Sequence, residues 1–221
     1  MSFSSDIKKE LCDVRELSPQ QAEAMLYGIM YASRMDEGRP LIQTENIDLM
    51  NAAAELIRAV FPNVRTGIVR LVKNSGSLYT LKIRSGWEDI AERFGDFSSI
   101  SREAVSGGDE ESGAFLRGVF VSCGSVTDPN KEYHLELVLP ENDRTPALLD
   151  FIAEHGMSLK ETARGGALQE NGAVREGERA YRGLPDLYRR RKPLYGDNAG
   201  EDSQGFPQPC EPLGELRKRE P

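Results

Sequence analysis

The sequence predicts an α+β protein built from two related half-domains, and three observations carry that expectation. Two apolar helices each hold a central glycine: Gly28, within Leu26-Tyr27-Gly28-Ile29-Met30-Tyr31-Ala32-Ser33-Arg34, and Gly118, within Leu116-Arg117-Gly118-Val119-Phe120-Val121-Ser122-Cys123-Gly124. The two glycines lie about 90 residues apart, a spacing that suits two half-domains better than a solenoid. After each helix the chain alternates between helical periodicity and the period-two pattern of half-buried strands.

The elements follow in order. Phe3 to Leu11 reads as a short helix, with Ser4 or Ser5 at its cap and Asp6 in its first turn. A second helix opens at Ser18-Pro19, where proline suits the first helical position, and runs over 19–34. Residues 39–43 form an edge strand. Thr44-Glu45-Asn46 then starts a helix that carries Ile47, Met50, Ala54, Ile57 and Phe61 on one side and stops at Pro62. Strands over 64–73 and 78–84 make a hairpin around Asn74-Ser75-Gly76-Ser77. A short helix from Trp87 to Phe94 ends at Gly95, and the serine-, glycine- and acid-rich stretch 96–111 reads as a linker. The second round has a helix over 113–123, a strand over 132–139, a helix over 143–155 closed by Gly156, and a strand over 157–164. The expected organisation is an N-terminal helix (1–15), a first half-domain (16–95), the linker (96–111), an incomplete second half-domain (112–166) and a disordered tail (167–221).

Composition narrows the function. With 38% hydrophobic and 29% charged residues, the core must be concentrated in part of the chain. No apolar run approaches the roughly 20 residues of a membrane span, and no secretory signal is visible at the N-terminus. The expected location is therefore cytoplasmic. Cys12, Cys123 and Cys210 are odd in number and far apart, which favours free thiols over disulfides or a metal site. The formal charge is −8, and the ten basic and ten acidic side chains of 167–221 cancel, so the excess lies in 1–166. Such a domain is a poor autonomous DNA binder, since phosphate contacts supply most non-specific affinity.

The wording of several segments resembles the WhiA family of bacterial regulators. Residues 115–136, including Phe115-Leu116-Arg117-Gly118, Gly124-Ser125-Val126, Asp128-Pro129 and Tyr133-His134-Leu135-Glu136, are similar to the family's second motif region. Met1-Ser2-Phe3-Ser4 and Gln43-Thr44-Glu45-Asn46 resemble two further family segments. The resemblance covers 1–166 and implies a LAGLIDADG-like fold of duplicated half-domains. It implies a DNA-binding transcription regulator acting in sporulation, cell division and chromosome segregation. Family members add a C-terminal helix-turn-helix, which this sequence lacks, so the resemblance implies an impaired product. An alternative is a protein-interaction module without autonomous DNA binding.

LAGLIDADG nucleases close each motif helix with an acid, and the two carboxylates hold a divalent metal. Here the corresponding positions are Ser33 and Cys123, neither an acid. Asp36 and Asp128 lie a few residues beyond as candidate substitutes, and the expectation is that they do not serve. The expectation is no catalytic residue, no metal, no cofactor and no enzyme. His134 is expected on an outward strand position, His155 at a helix end, and Cys123 as a small apolar thiol. Gly28 and Gly118 are expected at a close helix–helix approach, which justifies the roughly 1 kcal/mol a mid-helix glycine costs against alanine.

The resemblance assigns DNA contact to the sheet face turned away from the motif helices. In the strand over 78–84, Tyr79, Leu81 and Ile83 should face inward, leaving Thr80, Lys82 and Arg84 outward. Arg70, Lys73, Lys160 and Arg164 would extend this cationic stripe, through phosphate contacts rather than base readout. A solvated polar sheet face is the alternative.

After Gly166 the texture changes. Residues 167–221 lack clear periodicity and include Arg189-Arg190-Arg191-Lys192. Back-translated from Gln169 and read one nucleotide later, the codons can encode a stretch resembling the family's continuation. The expectation is a frameshift between about Arg164 and Gln169, in the gene or its sequencing, which leaves the arginine run without function. The nucleotide sequence tests it: a shifted frame full of stop codons would exclude it.

Overall fold

The computed structural model describes residues 2–74, 76–102, 104–105, 108–128, 134–140, 142–157, 159–162 and 178–183, with side chains up to residue 160. Helix α1 (Phe3–Leu11) precedes the first half-domain. That half contains α2 (Pro19–Tyr31), the hairpin β1 (Arg34–Asp36) and β2 (Arg39–Leu41), β3 (Gln43–Thr44), α3 (Ile47–Val60), the hairpin β4 (Arg65–Lys73) and β5 (Gly76–Ser85), and α4 (Trp87–Phe94). The second half contains α5 (Asp109–Cys123), β6 (Gly124–Val126), β7 (Leu135–Pro140), α6 (Thr145–Glu154), β8 (Leu159–Thr162) and β9 (Glu178–Gly183). One sheet has the order β3-β5-β4 and the other β6-β7-β9-β8, with β1 and β2 as a separate pair.

Local chemistry sets most boundaries. Ser18 caps α2 by accepting from the Gln21 amide at 3.2 Å, while the Gln21 side chain accepts from the Ser18 amide at 3.0 Å, and Pro19 fills the first helical position. Asn46 caps α3 by accepting from Asp48 and Leu49, and the helix stops before Phe61 and Pro62. The cap of α1 is Ser2, not Ser4 or Ser5; Ser4 Oγ instead accepts from the Val126 amide at 3.2 Å, tying α1 to β6. The second helix ends at Tyr31, because residues 34–41 turn back as the β1–β2 hairpin. Glu37 and Gly38 form its turn at φ 49° and 76°, a pair of left-handed residues that matches the twist of a hairpin.

The core lies where α2 packs against α5. Met25, Leu26, Tyr27, Ile29, Met30 and Phe115 are fully buried. Tyr27 stands at the centre of the aromatic cluster, with ring centroids 4.9 Å from Phe94 and 5.6 Å from both Phe97 and Phe115. Its hydroxyl donates to Ser99 O at 3.0 Å and accepts from the Ser101 amide at 2.8 Å.

Those contacts correct the expected linker at 96–111. Phe97, Ala104 and Val105 are buried, and Asp109, Glu110 and Glu111 form the first turn of α5, where acidic side chains oppose the positive end of the helix dipole. Its polar composition concealed a packed strap.

A second correction concerns the tail. Residues 178–183, expected to be unstructured, form β9 between β7 and β8, pairing antiparallel with both. Strand pairing satisfies backbone groups from two neighbours, so a weak side-chain pattern suffices. The remaining tail expectations, the frameshift and the run Arg189-Arg190-Arg191-Lys192 lie outside the described residues, as do Cys210 and Arg164.

Candidate nucleic-acid interface

The site begins with the seam that holds the two halves together. A Cβ on Gly28 would lie 2.1 Å from Phe115 O, and one on Gly118 would lie 2.2 Å from Met25 O. The backbones of α2 and α5 therefore touch at both glycines, leaving no space for even one methyl group.

At the far end of the seam both helices stop in a similar way. Ser33 Oγ donates to Ile29 O at 2.7 Å, and Cys123 Sγ lies 3.2 Å from Val119 O, each side chain turned back four residues onto its own helix. A cavity of about 390 Å³ opens there, lined among others by Lys8, Ser33, Arg34, Glu45, Ser122 and Cys123. Among the described residues, Glu45 is the one carboxylate that lines it, and neither Asp36 nor Asp128 does. Lys8 faces Cys123, and burial depresses its ammonium below the usual lysine range. Burial likewise pushes the Cys123 thiol up to about 12, so it stays protonated and unreactive at neutral pH. Among the described residues, no three histidines, cysteines or acids gather as a metal site. One carboxylate beside an ammonium does not form the oxygen cage that a hard cation requires.

Two arginines fasten this end of the molecule. Buried Arg144, before α6, donates to Tyr31 O and Ser33 O at 3.0 Å each, satisfying the last carbonyl of α2 and one just beyond it, and Tyr31 Oη donates back to Arg144 O at 3.2 Å. Arg117 of α5 donates to Leu11 O at 2.7 Å and Asp13 O at 2.6 Å, where α1 ends. The sequence reading gave neither a role, although Arg117 stood inside the apolar motif helix, where a charged side chain was a visible signal.

The outer face of the first sheet follows from strand register. Lys82 pairs with Gly67, Thr80 with Val69, and Gly76 with Lys73, so these residues share one face. Lys73, Lys82 and Arg84 are exposed, while Leu81 is buried and Tyr79 and Ile83 are half-buried. Gly67 has a purpose here: a Cβ would meet Arg84 Nε at 2.6 Å, so its absence lets the guanidinium lie across the strand. Arg70 is a correction. It pairs with Tyr79, hence occupies the opposite face, where its Nε donates to Ser77 Oγ at 2.9 Å and its guanidinium lies 5.9 Å from the Tyr79 ring centroid.

The second sheet brings less positive charge together. Lys160 is exposed on β8, in one register row with Arg182 and Glu136. His134 donates its amide to Thr127 Oγ1 at 2.8 Å beside this sheet. His155 Nδ1 donates to Phe151 O at 2.8 Å, with its ring against Phe151.

Two half-domains joined along glycine-paired helices, each with a sheet on its outer side, define a LAGLIDADG-like protein. Residues 112–170 match the family model of the WhiA LAGLIDADG-like domain. The chain is 31% identical over 185 residues to the probable cell division protein WhiA of Clostridium novyi, an alignment covering 72% of this chain and 56% of that protein. It is 30% identical over 180 residues to the protein of the same name from Clostridium acetobutylicum, with the same coverage. Among solved structures it is similar to full-length DUF199/WhiA from Thermatoga maritima, with a TM-score of 0.59, 18% identity, and coverage of 85% of this chain and 58% of that one. The N-terminal LAGLIDADG domain of DUF199/WhiA matches with a TM-score of 0.59 and 17% identity, covering 85% of this chain and 87% of that chain. This chain belongs to the WhiA family. It spans about half the length of the curated relatives it matches. Among the described residues no helix is long and apolar enough to cross a membrane.

Proposed function

We propose that this chain is a DNA-binding transcription regulator of the WhiA type, acting in the cytoplasm on cell division, chromosome segregation and sporulation, and not an enzyme. The observation that carries the reading is the outer face of the first sheet, where exposed Lys73, Lys82 and Arg84 share one side. Lysine and arginine there suit backbone phosphates, which fix position without reading bases. Ser33 and Cys123 at the helix ends argue against strand cleavage, because neither supplies a metal-binding carboxylate.

Gel shifts across salt concentration test it. Binding should weaken as salt rises, by roughly 0.9 logarithmic units per neutralised phosphate for each tenfold increase. Lys82→Glu with Arg84→Glu should remove most of it. Magnesium-dependent nicking that co-purifies with the chain would overturn the non-enzymatic reading.

A second reading, a protein-interaction surface, has its own support in the net charge of −8 and in the exposed Ile68, Val69, Leu71 and Val72 of β4. Absence of salt-sensitive DNA binding at low ionic strength would favour it.

A further inference from the structure

The free edge of β4 carries a chemistry that neither the paired helices nor the outer sheet face uses. We propose that it docks an extended peptide segment, added as a further strand, in which two apolar residues and one acid repeat. This rests on the protein-interaction reading above, supplies the partner which that reading leaves open, and is independent of DNA binding.

The backbone is arranged for such an addition. β4 ends the sheet order β3-β5-β4, and among the described residues no strand pairs with its other side. The Leu81 amide donates to Ile42 O at 3.0 Å, away from β4. Ile68, opposite Leu81, therefore turns its own N–H and C=O away from β5, because in antiparallel pairs the two residues point both groups either at each other or apart. The register is regular from Thr66 to Lys73, so Arg70 and Val72 do the same. Three alternate residues thus hold out a donor and an acceptor each, the pattern that strand addition uses.

The side chains say what kind of strand fits. Ile68-Val69-Arg70-Leu71-Val72-Lys73 is twice two apolar residues followed by a cation. All six are exposed, and the apolar ones grow more so along the strand, from 42% at Ile68 to 70% at Val72. Large apolar side chains on an open edge mark a contact surface. Residues 62–86 carry Arg65, Arg70, Lys73, Lys82 and Arg84 and no acid, within a chain of net charge −8. Arg70 meets the neutral Ser77 hydroxyl and Tyr79 ring, which leave its charge unbalanced. A second β4 is a poor occupant, since it brings the same cations and no acid. A strand with acids opposite Arg70 and Lys73, and apolar side chains between them, serves both faces. The acid opposite Arg70 lies on the face of Tyr79, and the one opposite Lys73 on the face of Lys82.

The probe is a blocked heptapeptide with glutamate at its first, fourth and seventh positions and valine elsewhere, compared with the same peptide carrying lysine for glutamate. Each is titrated into the full chain at low ionic strength and followed by backbone amide shifts and hydrogen exchange. The glutamate peptide should bind saturably and slow exchange at the Ile68, Arg70 and Val72 amides. The Val69 and Leu71 amides, already directed at β5, should change little. The lysine peptide should bind roughly tenfold more weakly, and Arg70→Glu should narrow or reverse that preference. Val72→Pro removes one edge donor without touching the bonds to β5, and should weaken the glutamate peptide roughly tenfold. Arg58→Glu, at an exposed cation of α3, should leave both peptides unchanged. The proposal is overturned if the two peptides bind alike, or if duplex DNA slows the same three amides as strongly as the glutamate peptide. Shifts without slowed exchange would also overturn it, while leaving β4 a protein-binding surface of another kind.

Discussion

At the seam the two half-domains are near copies, and on their outer sheets they part. Gly28 meets Phe115 as Gly118 meets Met25, and Ser33 folds back onto Ile29 as Cys123 does onto Val119. Outside, the first sheet gathers Lys73, Lys82 and Arg84, whereas the second sets Lys160 in a row with Glu136. The difference teaches where the fold tolerates change. Two backbones in contact admit no side chain, so the seam is fixed by geometry. An exposed sheet face can alter its charge at little cost in stability.

The largest effects are expected at the seam. Gly28→Ala and Gly118→Ala should each destabilise the protein by about 3 kcal/mol, the upper range for overpacking, because the methyl meets backbone and not a movable side chain. Chemical denaturation measures this. If the halves are equivalent there, the two losses should agree, and the double variant should lose less than their sum, since one separation of the helices relieves both clashes. Unequal losses would break the symmetry.

Next comes the fastening of α2. Arg144→Met keeps the buried stem but deletes two hydrogen bonds to carbonyls at the end of α2, and should cost about 2 kcal/mol. Amide exchange should rise over 30–34 while the α5 end stays protected. Loss of protection at both ends alike would mean that the two helix termini are one cooperative unit.

On the outer sheets the comparison is electrostatic. Arg84→Glu should lower the salt slope of DNA binding by about one unit, and Lys160→Glu by less, measured by the same gel shifts. Equal effects would mean that both sheets contribute alike.

The smallest effect is a response to pH. Burial raises the Cys12 thiol to about 11 and the Cys123 thiol to about 12, against an ordinary thiol value near 9. Well below pH 9 both thiols are protonated whether the chain is folded or not, and stability is unaffected. Between pH 9 and 12 the unfolded chain releases protons that the folded chain retains, so stability should fall. Cys12→Ala with Cys123→Ala should flatten that fall in denaturation midpoints between pH 8 and 10.5. The depressed Lys8 acts in the opposite sense, so the readout is the difference in slope between the two proteins.

Much of this was legible in the sequence. Ser18-Pro19, Asn46 and Pro62 marked helix ends through local hydrogen bonds and ring geometry. The recurrence of Gly28 and Gly118 marked the seam, and Ser33 and Cys123 showed that the helix ends carry no acids. Such features are written in residues close together in the chain. Register and distant packing were not. Tertiary structure decided that Arg70 faces away from Lys82, because antiparallel pairing sets it opposite Tyr79. It packed Phe97, Ala104 and Val105 into the core and inserted β9 between β7 and β8. It also brought Lys8, from the N-terminal helix, to the end of the helix pair. The physical reason is the same each time: these placements depend on contacts between segments tens of residues apart, and no local pattern of side chains encodes them.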